Sequence, residues 1–92
     1  MSVETDCQID NGRTRVTRYR LAPGANIGFH RHSNDYVIVP ITSGRLRVSE
    51  AGREAIAELK SGTAYFRPAG VEHDVGNAGS EEMIFVEVEI LG

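Results

Sequence analysis

The interval between chain breaks restricts this sequence most. Pro23-Gly24, Ser33-Asn34-Asp35, Ser43-Gly44, Ala51-Gly52, Lys60-Ser61-Gly62, Pro68-Ala69-Gly70 and Asn77-Ala78-Gly79-Ser80 interrupt it in turn. Glycine, proline, asparagine and serine each favour turns for their own steric or hydrogen-bonding reason. Between these breaks no run of ten or more residues carries the 3.6-residue apolar period of an amphipathic helix. The pieces alternate instead. The pattern predicts about seven to nine short strands, hence an all-β sandwich or barrel.

Thr14, Val16 and Arg18 alternate with Arg15, Thr17 and Tyr19, and the arginines suit an edge strand. Tyr36 to Thr42 is β-branched and apolar, and Pro40 within it asks for a bulge or an edge. Glu54 to Leu59 fits a strand or a helical turn. Thr63 to Arg67 is rich in β-formers, and Val71, His73 and Val75 share one parity. Met83 to Ile90 is the longest candidate, with Val86, Val88 and Ile90 on one face and Phe85, Glu87 and Glu89 on the other. Residues 1–12 are polar and end in Asp10-Asn11-Gly12, so they are expected to form a flexible N-terminal tail, with 13–92 a single barrel domain.

At 92 residues the chain has room for one modest core. Its net charge of -3 comes without a basic block, which argues against nucleic acid as a partner. The acids Glu81-Glu82 and the alternating Glu87 and Glu89 read as solvated surface. Cys7 alone cannot form an internal disulfide. No apolar run approaches membrane-spanning length, and the first residues lack a basic-then-apolar leader. The expectation is a cytoplasmic protein without a membrane partner.

The chain has three histidines, His30, His32 and His73. On a strand His30 and His32 point to one side, because the side-chain period is two. A barrel topology would be needed to bring His73 opposite them. Three neutral imidazoles would suit iron, nickel, cobalt, zinc or copper and tolerate manganese, with open positions left for water or substrate. Without convergence, the same residues are ordinary hydrogen-bonded strand histidines.

The spacing resembles that of a single-domain cupin of the RmlC-like superfamily. The first cupin motif runs from glycine across five residues to His-x-His, then a glutamate, six residues and a glycine. Here it is met by Gly24, His30, His32 and Gly44. The second motif is met in full by Gly62, Pro68, Gly70, His73 and Asn77. The glutamate of the first motif is missing. Counting back from Gly44 gives Val37, and counting forward from His32 gives Tyr36. The resemblance therefore implies a small double-stranded β-helix, or jelly-roll barrel, with metal on His30, His32 and His73 and no protein carboxylate. Asp35, adjacent to the gap, is the alternative fourth ligand. The stretches HRHSNDYVIVPITSGRLRV and GTAYFRPAGVEHDVGN are similar to a group of small cupins assigned to β-alanine degradation, which implies catabolism of a small carboxylate or amine.

Three-histidine cupins imply iron first as the divalent transition metal, with zinc, nickel or manganese as alternatives. Two candidates stand beside the site as catalytic residues. Arg67, just before the Pro68 turn, has a planar fork suited to a substrate carboxylate. Tyr36 could place its hydroxyl near the vacant ligand position. Gly24, Gly44, Gly62 and Gly70 read as backbone devices, and Asn77 as a shaper of the turn after its strand. Three functions stay open: an oxygenase-like metalloenzyme on a small organic acid, amine or thiol, a ligand-binding or sensing barrel without turnover, and a structural barrel with relic histidines. Exposed strand edges in so small a barrel, together with cupin precedent, imply a twofold homodimer that uses the strand starting at Arg13.

Overall fold

A computed structural model describes residues 2–92. The breaks separate nine strands among the described residues: β1 (Val3–Asp10), β2 (Thr14–Leu21), β3 (His30–Arg31), β4 (Asp35–Pro40), β5 (Gly44–Glu50), β6 (Arg53–Leu59), β7 (Tyr65–Arg67), β8 (Glu72–Asn77) and β9 (Met83–Ile90). They form a five-stranded sheet ordered β1-β2-β9-β4-β7 and a four-stranded sheet ordered β3-β8-β5-β6. All pairings are antiparallel. This is the expected all-β double-stranded β-helix.

The two inner faces meet over Leu21, Tyr36, Ile38, Leu46, Leu59, Val75, Met83 and Phe85. Burying each such side chain contributes roughly 1.5–3 kcal/mol. The core thus draws on strands far apart in sequence, and closing it fixes which histidines can meet. Close approach is needed at Gly44, where a Cβ would come within 2.8 Å of the Met83 methyl.

Two expectations need correction. Residues 3–10 are a strand, not a tail. The Asp10-Asn11-Gly12 signal is a hairpin turn: Gly12 has φ +83°, and Asn11 Oδ1 accepts from Arg13 N at 3.0 Å and Thr14 N at 2.9 Å. β1 is polar because it is an edge strand exposed on both faces, not because it lacks structure. For the same reason β2 is no edge, since it lies between β1 and β9. Its arginines answer acids on neighbouring segments: Arg18 meets Asp6 at 3.6 Å, and Arg20 meets Glu4 at 3.8 Å and Glu82 at 3.6 Å. Pro40 takes the edge position expected of it, as the last residue of β4 with its nitrogen on the side where β7 no longer pairs. The β4–β7 ladder has already ended at Ile38↔Tyr65, so the missing N–H interrupts nothing.

The ambiguous Glu54–Leu59 piece is strand β6, paired with β5 along its length. Asn77 does shape its turn. It is 1% exposed, donates Nδ2 to Leu21 O at 3.0 Å and Glu81 O at 2.8 Å, and accepts from Gly79 N at 2.9 Å. One side chain thereby ties the end of β8 to the end of β2.

Candidate metal centre

β3 is short, yet it sets the site. Its pairing with β8 places His30 directly opposite His73. His32 lies just past the strand end and is pinned on both sides, with its N–H donating to Val71 O at 2.9 Å and its carbonyl accepting from Gly70 N at 2.7 Å. The second bond depends on the turn at Gly70, whose φ of +94° disfavours any residue with a Cβ. Asp74, on the opposite parity from His73, accepts the Gly28 N–H at 3.1 Å and holds the segment leading into β3.

The three imidazoles converge. His30 Nε2 lies 2.9 Å from His32 Nε2, which lies 3.0 Å from His73 Nε2. The rings meet edge to face, with centroids 4.6–5.0 Å apart. One donor atom from each histidine falls within 4.8 Å of the others. His73 is 6% exposed, and the His32 side chain 10%.

The partners of the outer nitrogens bear on the tautomers of His30 and His32. His30 Nδ1 donates to Gly28 O at 2.7 Å, which leaves its Nε2 bare. His32 Nδ1 faces the Glu87 carboxylate at 3.7 Å. With that proton also on Nδ1, the 2.9 Å contact between His30 Nε2 and His32 Nε2 sets lone pair against lone pair. A shared cation relieves that repulsion. The spacing suits it: two nitrogens bound at right angles at ~2.1 Å stand ~3.0 Å apart. The donor set therefore fits a divalent transition metal. Burial, followed by the neighbouring imidazoles, pushes the His73 pKa down to about 4, and burial followed by His30 lowers that of His32. Both rings are neutral, as metal ligands must be.

Glu87 was not anticipated. It is 6% exposed on the inner face of β9, although the sequence pattern read it as solvated surface. Burial, helped by Glu89, raises its carboxyl to about 7, while hydrogen bonding with Tyr19 works the other way. The available signal was parity: Met83 and Phe85, both buried, share its face. Asp35, the alternative ligand, is excluded by its position. It is exposed, and its Oδ1 accepts the Ala69 N–H at 2.8 Å.

Tyr36 lies at the site. Its ring stacks on His32 with centroids 4.0 Å apart, and its buried hydroxyl has no partner. Burial raises that hydroxyl to about 12, so it is a donor and not a phenolate. His73 Nδ1 is likewise buried and unpartnered. Arg67 does not touch the histidines; it reaches Glu50 Oε2 across the sandwich at 3.4 Å. Two cavities adjoin. One of about 30 Å³ is bounded by all three histidines, Tyr19, Tyr36 and Glu87. A second, of about 260 Å³, shares Tyr36, Tyr65 and His73 with it and adds Arg67.

Comparison with known proteins agrees with this geometry. The cupin domain family model matches residues 17–89. The β-alanine degradation protein BauB of Pseudomonas aeruginosa is 52% identical over 83 residues, covering 90% of this chain and 87% of that protein. An oxalate-binding protein of Thermotoga maritima is 30% identical over 74 residues, which is 80% of this chain and 60% of that protein. A crystal structure of a cupin domain from Bordetella pertussis is 44% identical, covers 98% of this chain and 94% of that one, and superposes with a TM-score of 0.94.

Proposed function

The chain belongs to the cupin domain family, and from that premise we propose that it is a metal-dependent cupin acting on a small organic acid, with oxygenase-like chemistry on iron. The observation that supports the reading is the convergence of three Nε2 atoms, with the opposite nitrogens of His30 and His32 turned toward Gly28 O and Glu87 and that of His73 buried without a partner. His30, His32 and His73 would hold the metal. When bound it supplies Lewis acidity toward an anion, and iron adds redox chemistry with dioxygen.

The chain's own residues set what can enter. A cavity of about 30 Å³ beside the histidines has room for about two waters at ~10–15 Å³ each. The adjoining cavity of about 260 Å³ falls below the usual range of drug-sized pockets, roughly 300–1,000 Å³. Small substrates are favoured. Arg67 at its rim offers a forked donor to a carboxylate. The Tyr36 hydroxyl, unpaired in the wall common to both cavities, offers a further donor. Three neutral ligands leave the metal's charge uncancelled in the first coordination shell, which favours an anion. The names of the two relatives, one for β-alanine and one for oxalate, point to the same small carboxylate class.

Elemental analysis of protein purified without an affinity tag tests this reading, alongside a His30→Ala/His73→Ala double variant. The expected result is about one iron per chain, lost in the variant, followed by calorimetric binding of oxalate or β-alanine and oxygen uptake with one of them. Zinc or nickel in place of iron would remove the oxygen chemistry. No metal after incubation with ferrous iron would overturn the reading. Saturable binding without product would favour a sensing barrel.

A further inference from the structure

The larger of the two cavities beside the histidines has two unlike walls. One is the inner face of the four-stranded sheet. Leu46, Val48, Ala57, Leu59 and Val75 line it there, and none of them carries a polar side-chain atom. Register joins them into one patch: Leu46 pairs with Ala57 across β5 and β6, and Val48 with Val75 across β5 and β8. The other wall belongs to β4 and β7, where Tyr36 and Arg67 are direct cross-strand partners. Side chains so paired stand ~4.5–5.5 Å apart at Cβ, close enough to serve one carboxylate together. The Arg67 guanidinium is paired with half-exposed Glu50 at 3.4 Å, and the Tyr36 hydroxyl is buried without a partner. Glu58 also borders the cavity, but its carboxylate meets Arg45 Nε at 3.1 Å on the other face of β6.

We propose that this cavity takes the hydrocarbon tail of a small monocarboxylate, of about four to six carbons, whose carboxylate is held by Arg67 and Tyr36. An apolar cavity of about 150 Å³ suffices for a benzene ring, and this one measures about 260 Å³. Its donors gather on one wall. A second carboxylate or an ammonium carried to the other wall meets hydrocarbon and finds no partner, which disfavours it. Each methylene placed there instead gains about fourfold in affinity. Oxalate leaves the apolar wall bare and β-alanine brings a charge to it, so both are the weaker ligands. This tail site rests on the small-acid reading and narrows it to acids with an apolar tail. It does not depend on which metal the histidines hold.

Calorimetric titration of the protein as purified with acetate, butyrate, hexanoate, oxalate and β-alanine tests it. Affinity is expected to rise about fourfold per methylene up to the length that fills the cavity, and to pass that of oxalate. Ala57 has the smallest side chain of the apolar wall, and a longer one there takes up the space. Ala57→Leu is expected to abolish the rise, with metal content and circular dichroism spectrum unchanged. Equal affinities along the series, with oxalate bound, would overturn the tail site and leave the small-acid reading standing. No binding of any of these acids would overturn both. A rising series in protein that takes up no metal would support the tail site while the metal reading failed. A rise that survives in Ala57→Leu would overturn the placement of the tail. Butylamine bound as tightly as butyrate would overturn the role of Arg67 and Tyr36. Should Ala57→Leu fail to fold, Ala57→Val takes its place with the same outcomes.

Discussion

Glu87 Oε1 lies 3.7 Å from His32 Nδ1, with the two side chains 8% and 10% exposed. This carboxylate stands behind a histidine and not beside the histidine nitrogens that converge. It comes from β9, whereas the cupin glutamate would come from the strand after the histidine pair. When ionised and drawn to hydrogen-bond distance, it would favour the His32 proton on Nδ1 and the ring aimed inward, as carboxylates behind metal-binding histidines do. Glu87→Ala should lower metal affinity about 10–100-fold, read by competition with a chelator, with no loss of fold. Unchanged affinity would mean that His32 is oriented by its backbone bonds and by Tyr36 alone.

The metal-free fold should show little pH dependence in mildly acid solution, because two buried groups oppose each other. Glu87 titrates at about 7 in the fold against 4.5 for an unperturbed glutamate, so across that interval the folded state holds the extra proton and stability falls as pH rises. His73 titrates at about 4 against 6.5, so there the unfolded state holds the extra proton and stability rises with pH. Where the windows overlap the two slopes cancel, leaving only a tilt from His32, which is shifted in the same direction as His73. Glu87→Gln removes one of the two slopes. Its urea midpoint should fall steadily from pH ~6.5 toward ~4 while that of the wild type stays nearly level. Parallel curves for the two proteins would show that Glu87 is ionised in the fold.

Asp35 stands next to the place of the missing cupin glutamate, but its carboxylate is already committed to Ala69 N at 2.8 Å. Asp35→Asn keeps an acceptor for that bond. Metal content by elemental analysis should be unchanged. A loss of metal would return Asp35 to the coordination set.

Much of this was legible in the sequence. Turn residues marked where strands end, and equal parity put His30 with His32 and His73 with Val71 and Val75. Parity sorts a strand's residues into two sets but does not say which set faces inward. For β9 the β-branched set Val86, Val88 and Ile90 looks like the core face, yet the inner face carries Met83, Phe85 and Glu87. The buried carboxylate and the outward β-branched set are therefore one event, and both escape a reading strand by strand. The contact between His30 and His73 lay beyond reach for another reason. It depends on β3 pairing with β8 across more than forty residues of intervening chain, and closure of the sandwich decides that, not local pattern.

Asn77 offers a test of stability separate from chemistry. Asn77→Ala deletes three hydrogen bonds at a site that is 1% exposed and leaves Leu21 O and Glu81 O without that donor. At about 1–3 kcal/mol for each buried group left unpaired, a loss of about 3 kcal/mol is expected from urea denaturation. A loss below 1 kcal/mol would mean that water replaces the amide and that the β2–β8 tie is not structural.

Arg67 separates metal binding from ligand binding. Its guanidinium lines the cavity shared with His73 and Tyr36 but makes no contact with the histidines, and its Glu50 partner at 3.4 Å is 44% exposed. An exposed pair of this kind holds its arginine weakly, so an incoming carboxylate can compete for the fork. Arg67→Gln should leave iron content unchanged and weaken oxalate binding about 10–100-fold, the range expected for one charged hydrogen-bond pair worth about 1.5–3 kcal/mol. Calorimetry of the metal-loaded protein reads the affinity, and elemental analysis of the same sample reads the metal. If oxalate binds equally well to both proteins, the arginine belongs to the Glu50 tie across the sandwich. The anion would then be held by the metal and Tyr36 without it.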